Sequence, residues 1–365
     1  MSSTSPMGDP SQQPPQVSKT TIPVTGLLVD VYGLEELPAG ATAVSCLWLH
    51  HGRLGNKNDM ATIAALALSA WHARARSNST SSSSSRGLIA VAFDSRNHGA
   101  RLAHKESNDA WRDGNKTHAQ DMFGVVTGGV VDMAHLMDTL EGYLFGNGAS
   151  GPGKIQVAAL NSRRQGGLID QHLALGVSQG GHTTWQAMFA EPRLSAGVVV
   201  IGCPDYMSIM TDRARLTKLP TYSAADNGAS FLGSKDFPHA LVEACKKYDP
   251  KGILFGTGEI PKPPSDADKE RLRYILDSRL AGKNFQVLSG GADKLVPYAH
   301  AKPFLDFFKS AVETWDKQAN ISVEDIVYPG VGHKFDDAMM KDAVRFIVDT
   351  VSEATAAQTS AAAKI

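Results

Sequence analysis

The sequence has few cysteines and almost no excess of charge of either sign. Lysine and arginine together number 36 and aspartate and glutamate 37 among 365 residues, so the net charge is −1. This balance gives no electrostatic reason to expect a nucleic acid or an anionic membrane as a partner. The three cysteines, Cys46, Cys203 and Cys245, are too few and too scattered for a disulfide framework or a paired-cysteine metal site. We therefore expect a protein of a reducing compartment.

Long apolar runs are also missing. No run reaches the roughly 18 to 20 residues of a membrane-spanning helix, and the first residues have neither the basic nor the apolar region of a secretory signal. We expect no membrane span, no secretion and a cytoplasmic location. The final Ala363, Lys364 and Ile365 are similar to the S-K-L peroxisomal address, so a peroxisomal import receptor is the alternative expectation. Nothing in the sequence predicts an oligomeric state.

Composition divides the chain into four parts. Residues 1–20 are rich in serine, proline and glutamine and predict a disordered arm, whereas residues 353–365 predict a flexible tail. Residues 21–204 and 285–352 predict the core domain, with a serine-rich surface loop at 77–85. The connection between them, residues 205–284, is too long for a simple crossover and contains helical patterns at 239–247 and 267–280, so it predicts a helical cap or lid.

Short apolar runs alternate with helical patterns along the core. The predicted strands are 26–31, 44–49, 88–93, 172–177, 197–201, 285–288 and 323–327. The predicted helices include 59–76, with Asp59 as its N-cap, 122–144, a run that ends at Ala190, 298–315 and 335–351. This alternation predicts an α/β fold, a mostly parallel sheet with helices on both faces and ligands beyond the carboxyl ends of the strands.

The most specific motif is GVSQGG at residues 176–181, directly after a predicted strand and before a predicted helix. In that context G-x-S-x-G forms a sharp turn that exposes the serine hydroxyl, and the glycines are needed where backbones crowd. We therefore expect Ser178 to be a nucleophile. An ordinary turn serine is the alternative.

A serine hydroxyl needs a base, itself oriented by an acid. His333 follows the last predicted strand through a glycine-rich loop, which makes it the candidate base. Asp293, just past the strand 285–288, is the candidate acid, although Asp205 at the end of the preceding strand is a competitor and Asp293 could instead cap a helix. Arg53 follows the predicted strand 44–49 and Gln179 follows the predicted strand 172–177. The backbone amides of these two residues are the candidate donors to the oxyanion.

No cofactor or metal is predicted. Residues 148–154 (GASGPGK) match the start of a phosphate-binding loop, but Ile155 replaces the required Ser or Thr and the segment follows a helix instead of a strand. His50 and His51 point to opposite sides of a strand and do not chelate one ion easily. We expect His51 and His98 to hold their own turns. Arg53 could reach an anionic substrate group, although a solvated role is the alternative.

The ordered set of motifs resembles the α/β-hydrolase superfamily from about residue 24 to residue 351. The set comprises His51-Gly52, DSRNHG (94–99), GVSQGG (176–181), GADKLVP (291–297) and GVGH (330–333). The resemblance implies an eight-stranded-type sheet and a serine hydrolase acting on a small-molecule acyl substrate through an acyl-enzyme, with Ser178, Asp293 and His333 as its triad. Asn97 replaces the superfamily's frequent glycine and tolerates left-handed backbone.

Within this resemblance the expected reaction is cleavage of a carboxylic ester, with thioester or prolyl-oligopeptidase-like peptide cleavage as the alternative. A non-catalytic scaffold that binds a ligand or a partner is the alternative from a different class. The substrate depends on how residues 205–284 fold. Their aromatic and methionine side chains predict either an apolar pocket or the packing of the cap.

Overall fold

The structure is a computed structural model that describes residues 15–39, 41–77, 85–145 and 167–362. Residues 1–14, most of the serine-rich loop, the GASGPGK segment and the C-terminal tripeptide lie outside the described residues. The predictions made for those segments stay predictions. No helix in the described part of the chain is long and apolar enough to cross a membrane.

The described residues form one eight-stranded sheet in the order β1-β2-β4-β3-β5-β6-β7-β8. Strands β4, β3, β5, β6, β7 and β8 run parallel, whereas β2 is antiparallel to both β1 and β4. The strands are β1 Lys19–Val24, β2 Leu27–Tyr32, β3 Ala41–His50, β4 Ser85–Phe93, β5 Ile169–Val177, β6 Leu194–Val200, β7 Asn284–Gly290 and β8 Ser322–Tyr328. Every predicted strand overlaps one of them.

Helices cover both faces of this sheet. They are α1 Ala61–Ser77, α2 His118–Phe145, α3 Gln179–Ala190, α4 Tyr206–Thr217, α5 His239–Tyr248, α6 Pro250–Phe255, α7 Asp266–Leu280, α8 Tyr298–Ser310 and α9 Asp337–Ala362. Helices α1 and α9 pack together on one face, where Trp71 and Phe346 join the apolar core. Helices α2, α3 and α8 build the core of the other face around Met133, Trp185 and Phe304. This architecture is the α/β-hydrolase fold, as predicted.

The structure corrects the predicted ends of the chain. Strand β1 begins at Lys19, inside the predicted arm, because an edge strand with alternating exposure needs no continuous apolar run. Helix α9 continues to Ala362, so the predicted tail is helical through that residue. Its last turns are rich in alanine, the strongest helix former.

The start of α1 also differs from the prediction. A short 3₁₀ turn, Lys57–Met60, precedes the helix, and Asn56 caps that turn with Asp59 as the reciprocal partner of a capping box. The predicted cap residue is therefore the third residue of the turn and not its N-cap. The predicted helix 298–315 also differs from the structure. Its regular α-helical part ends at Ser310, and a π-helical turn, Ala311–Trp315, follows.

The long connection after β6 is helical, as predicted. Its first helix, α4, lies at the carboxyl edge of the sheet beside Ser178, whereas α5, α6 and α7 contact α3 on one face of the sheet. Tyr206, Met207, Met210, Phe231 and Phe237 are all buried in the core of that face, so they pack the insertion and do not line the cavity at Ser178.

Candidate active site

Ser178 occupies a strained turn between β5 and α3. Its φ is 57° and its ψ is −112°, a backbone conformation that residues other than glycine rarely adopt. The two motif glycines allow this turn, because a Cβ at Gly176 would collide with the carbonyl of Gly180 and a Cβ at Gly180 with the carbonyl of His50. The crowded turn exposes the Ser178 hydroxyl beyond the end of the sheet.

Ser178, His333 and Asp293 lie in one chain of hydrogen bonds. The Ser178 Oγ is 2.8 Å from the His333 Nε2, and the His333 Nδ1 is 2.7 Å from the Asp293 Oδ2. Because a carboxylate accepts at Nδ1, the proton of the neutral imidazole belongs on Nδ1 and Nε2 is free to accept from the serine. The geometry is that of a nucleophile, a base and an orienting acid.

Asp293 is held independently of the histidine. Its side chain is fully buried, and its Oδ1 accepts from the backbone amides of Leu295 at 2.8 Å and Val296 at 3.0 Å. The N-cap position of α8 belongs to Pro297, so Asp293 does not cap that helix. The carboxylate therefore has one oxygen fixed by the loop and the other directed at His333.

Asp205, the competing acid, has a different role in the structure. Its Oδ1 accepts from the amide of Ser208 at 2.9 Å and caps the start of α4. Burial raises its pKa, the opposite of what an orienting carboxylate needs. No hydrogen bond joins Asp205 to His333 in the described part of the chain.

Arg53 and Gln179 line the same cavity as Ser178, and the backbone amide of neither residue donates to a backbone acceptor within the described ranges. His51 positions one of them. Its Nδ1 is 2.8 Å from the carbonyl oxygen of Gly52, and its Nε2 accepts from the amide of Ser95 at 3.0 Å, so the proton is on Nδ1. Because the Gly52 carbonyl and the Arg53 amide belong to one trans peptide, fixing the oxygen turns the amide to the opposite side.

The turn after β4 supports this arrangement. The carboxylate of Asp94 accepts from the amide of Lys57 at 2.9 Å, which joins this turn to the loop after β3. Asn97 has a φ of 58°, which confirms the predicted left-handed conformation. Burial lowers the pKa of His51 to about 4, so this histidine is neutral near pH 7 and keeps its bonding pattern.

The cavity beside Ser178 is small and carries several charged groups. Its volume is about 140 Å³, and Met122, Ile209, Leu216 and Leu295 supply apolar lining. A cavity of similar size in another protein holds one benzene ring. Its charged lining residues are Arg53, Arg112, Asp212, Arg213 and Lys294. The space accepts one small group with both an apolar and a polar part.

Sequence reasoning did not single out Arg213 or Asp212, which α4 brings to this cavity. A signal for Arg213 was present, since it lies four residues after Ile209 and three after Met210, on the apolar stripe of the helix. Arg213 is half-buried at this position, where the stripe would ordinarily carry an apolar side chain.

A second serine, histidine and aspartate come together next to the same cavity. The Ser208 Oγ is 2.8 Å from the His300 Nδ1, and the His300 Nε2 is 3.4 Å from the Asp212 Oδ2. Ser208 is the third residue of α4, so its backbone is helical and its own amide is bonded to Asp205. This set has the residue types of the Ser178 set without its strained turn.

No three His, Cys, Asp or Glu side chains of the described segments form a group that could hold a metal ion. Cys46, Cys203 and Cys245 are buried free thiols.

His50 is buried and forms an edge-to-face contact with Phe93, at a distance of 5.6 Å between the ring centroids, and burial lowers the pKa of His50 to about 3. His98 bonds through Nδ1 to the carbonyl of Arg96 at 2.9 Å and so holds its own turn.

No family model and no curated protein matches this sequence. Similar solved structures include TT1662 of Thermus thermophilus, which is 15% identical over 91% of this chain and 97% of its own, with a TM-score of 0.49. A puromycin hydrolase is 14% identical over 93% of this chain and 40% of its own, with a TM-score of 0.47. An esterase/lipase from an uncultured bacterium is 12% identical over 92% and 84%, with a TM-score of 0.43. These likenesses carry no evidence of activity, so a functional assignment depends on the site geometry.

Proposed function

We propose that this protein is a serine hydrolase that cleaves a carboxylic ester through an acyl-enzyme. The observation that carries the proposal is the hydrogen-bonded chain from Ser178 through His333 to Asp293, with 2.8 Å and 2.7 Å between the bonded atoms. The strained turn at Ser178 supports the proposal, as do the amides of Arg53 and Gln179, which have no backbone acceptor among the described residues.

In the first half-reaction the Ser178 Oγ attacks the ester carbonyl carbon while His333 Nε2 takes the hydroxyl proton. The carbonyl oxygen becomes an oxyanion, which the amides of Arg53 and Gln179 receive. Asp293 stabilises the imidazolium and keeps its orientation. The bond from carbon to the alcohol oxygen then breaks, and Nε2 returns the proton to the departing alcohol.

Water completes the cycle in the second half-reaction. His333 Nε2 removes a proton from the water as it attacks the acyl carbon, and the same two amides receive the second oxyanion. The bond to the Ser178 Oγ breaks, and Nε2 gives the proton back to the serine. The products are the free acid and the alcohol, and the enzyme is unchanged.

Labelling with a fluorophosphonate tests the nucleophile, because this probe reacts with activated serine hydroxyls. We expect the wild type to be labelled and Ser178→Ala to remain unlabelled, with kcat on an activated ester reduced by roughly 10⁴- to 10⁶-fold. Ser208→Ala is the matched control, since its hydroxyl lies at the same 2.8 Å from a histidine nitrogen. We expect that variant to be labelled like the wild type.

Equal labelling of the wild type and Ser178→Ala would contradict the nucleophile assignment. A folded wild type that neither reacts with the probe nor turns over activated esters would instead favour a non-catalytic scaffold. The same purified protein, assayed on matched oxygen-ester, thioester and aminoacyl substrates, tests the proposed preference for oxygen esters. Faster Ser178-dependent turnover of the thioester or the aminoacyl substrate would assign the same machinery to the alternative reaction.

A further inference from the structure

The cavity beside Ser178 has an excess of positive charge. Four of its charged lining residues are basic, Arg53, Arg112, Arg213 and Lys294, whereas Asp212 is the one carboxylate among the described lining residues. Asp212 is already engaged, by Arg215 at 2.6 Å and by His300 at 3.4 Å. Its charge is therefore not available to the arginines that face the cavity.

The hydrogen-bond acceptors of Arg213 among the described residues are neutral and weak. Its Nη1 is 3.4 Å from the His118 Nε2 and 3.1 Å from the Met122 Sδ, and its Nη2 is 3.4 Å from the carbonyl oxygen of Leu295. No carboxylate in the described part of the chain forms an ion pair with it. Burial, together with Arg53, lowers the pKa of Arg213 to about 10. The guanidinium is thus still charged at neutral pH, in a site that disfavours the charge.

Arg53 is in a similar position. Its Nη1 donates to the carbonyl of Asn108 at 2.6 Å, and no ion pair joins it to a carboxylate in the described ranges. Burial and the positive charge of Arg112 lower its pKa, although the nearby Asp113 and Asp109 act in the opposite direction. An arginine whose other N–H groups are unused presents a planar fork that matches a carboxylate.

Two further side chains at the cavity have no partner. Gln179 is 98% buried, since 2% of its surface is exposed, and neither its Nε2 nor its Oε1 has a hydrogen-bond partner in the described part of the chain. The indole Nε1 of Trp111 is also buried and has no hydrogen-bond partner among the described residues. Both residues line the cavity. These three atoms are enclosed by protein, so the lining groups with unused donors toward a ligand are the guanidinium groups of Arg213 and Arg53.

We propose that this cavity binds a carboxylate group of the substrate, held by Arg213 and Arg53, so that the preferred substrate is a short half-ester of a dicarboxylic acid. This inference rests on the proposed function and names its substrate class. The apolar lining from Ile209 and Leu216 accommodates the short carbon chain between the carboxylate and the scissile carbonyl. The volume of about 140 Å³ limits that chain to a few carbons.

A matched pair of esters tests the inference. One is the 4-nitrophenyl monoester of glutaric acid, and the other is 4-nitrophenyl 5-methylhexanoate, in which an isopropyl group replaces the carboxylate. After subtraction of the spontaneous rate, we expect the wild type to have a kcat/KM about 10-fold or more higher for the glutaryl ester. The ratio should fall to about one or below in Arg213→Met and be partly kept in Arg213→Lys.

Lys218→Met is the control for a general loss of positive charge, because Lys218 ends the same helix, is exposed and does not line the cavity. We expect it to keep the wild-type ratio. A wild-type ratio near one, or an unchanged ratio in Arg213→Met, would overturn the inference. Should Arg213→Met fail to fold, competition in the wild type decides. Glutarate is expected to inhibit hydrolysis of the uncharged ester and the neutral diamide of glutarate is not, whereas equal effects would overturn the inference.

The two proposals fail in different ways. Turnover of both esters that depends on Ser178 but shows no preference for the carboxylate keeps the proposed function and removes this inference. Absence of Ser178-dependent turnover of either ester removes the proposed function itself.

Discussion

Two sets of serine, histidine and aspartate lie near one cavity, and they differ in backbone and not in residue type. In both sets the serine oxygen is 2.8 Å from a histidine nitrogen. Ser178 has a positive φ at the end of a parallel strand, whereas Ser208 is within the first turn of α4. The acid contact is also shorter in the first set, 2.7 Å against 3.4 Å.

The comparison teaches that side-chain proximity alone does not build this kind of site. Acyl transfer also needs an exposed nucleophile, donors for the oxyanion and a fixed imidazole. The Ser178 set has a strained turn and an imidazole held by a buried carboxylate, whereas Ser208 has helical backbone and a longer contact between its histidine and aspartate. The following predictions test each requirement against the second set or a matched neighbour.

After loss of the nucleophile itself, loss of the orienting carboxylate should have the largest effect. We expect Asp293→Asn to lower kcat by about 10⁴-fold, because an amide nitrogen facing Nδ1 places the imidazole proton on the wrong nitrogen. The loop should stay in place, since the remaining oxygen still accepts from the amides of Leu295 and Val296. Steady-state kinetics on an activated ester measure the change.

Asp205→Asn is the control for this prediction. Asparagine caps a helix as well as aspartate does, so α4 should keep its start and kcat should change by less than about threefold. If kcat fell as far in Asp205→Asn as in Asp293→Asn, the assignment of Asp293 as the orienting acid would be contradicted.

The oxyanion peptide should have an intermediate effect. We expect His51→Gln to lower kcat by roughly 10- to 100-fold with little change in KM, because removal of a whole oxyanion donor costs about 10²- to 10³-fold and here the donor is only misdirected. His98→Gln is the matched control, since its ring is 5.4 Å from that of His51 and holds a different turn. Parallel rises in KM, or equal losses in both variants, would argue for general damage and against a positioning role.

The two serines differ in backbone conformation, so replacing alanine by glycine should change the free energy of unfolding in opposite directions at positions 178 and 208. Ser178→Gly should be about 1 kcal/mol more stable than Ser178→Ala, since glycine relieves the strain of a positive φ. Ser208→Gly should be roughly 0.5 kcal/mol less stable than Ser208→Ala, because glycine weakens a helix. Urea unfolding of the four variants measures both differences. The same sign at both positions would show that the turn at Ser178 stores no strain.

Much of this fold was readable from local patterns. Residues 173–177 of strand β5 are a continuous apolar run, and the GVSQGG turn that overlaps its end requires glycine at two crowded positions, so both could be predicted without tertiary information. Strand β1 could not be predicted, because its alternating polar residues become a strand only by pairing with β2 at the edge of the sheet. The full length of α9 could not be predicted either, because an alanine-, serine- and threonine-rich composition fits both a flexible tail and the last turns of a helix.

The amino-acid sequence by itself determined the order of the strand-end motifs, since each depends on residues that are neighbours in the chain. It thereby placed Ser178, Asp293 and His333 at one edge of a parallel sheet. Only the tertiary structure decided that the carboxylate of Asp293, and not that of Asp205, faces His333. It also decided that Arg213 lines the same cavity without an acidic partner among the described residues. The physical reason is that hydrogen-bond direction, burial and charge balance depend on residues far apart in the chain, whose distances local periodicity does not contain.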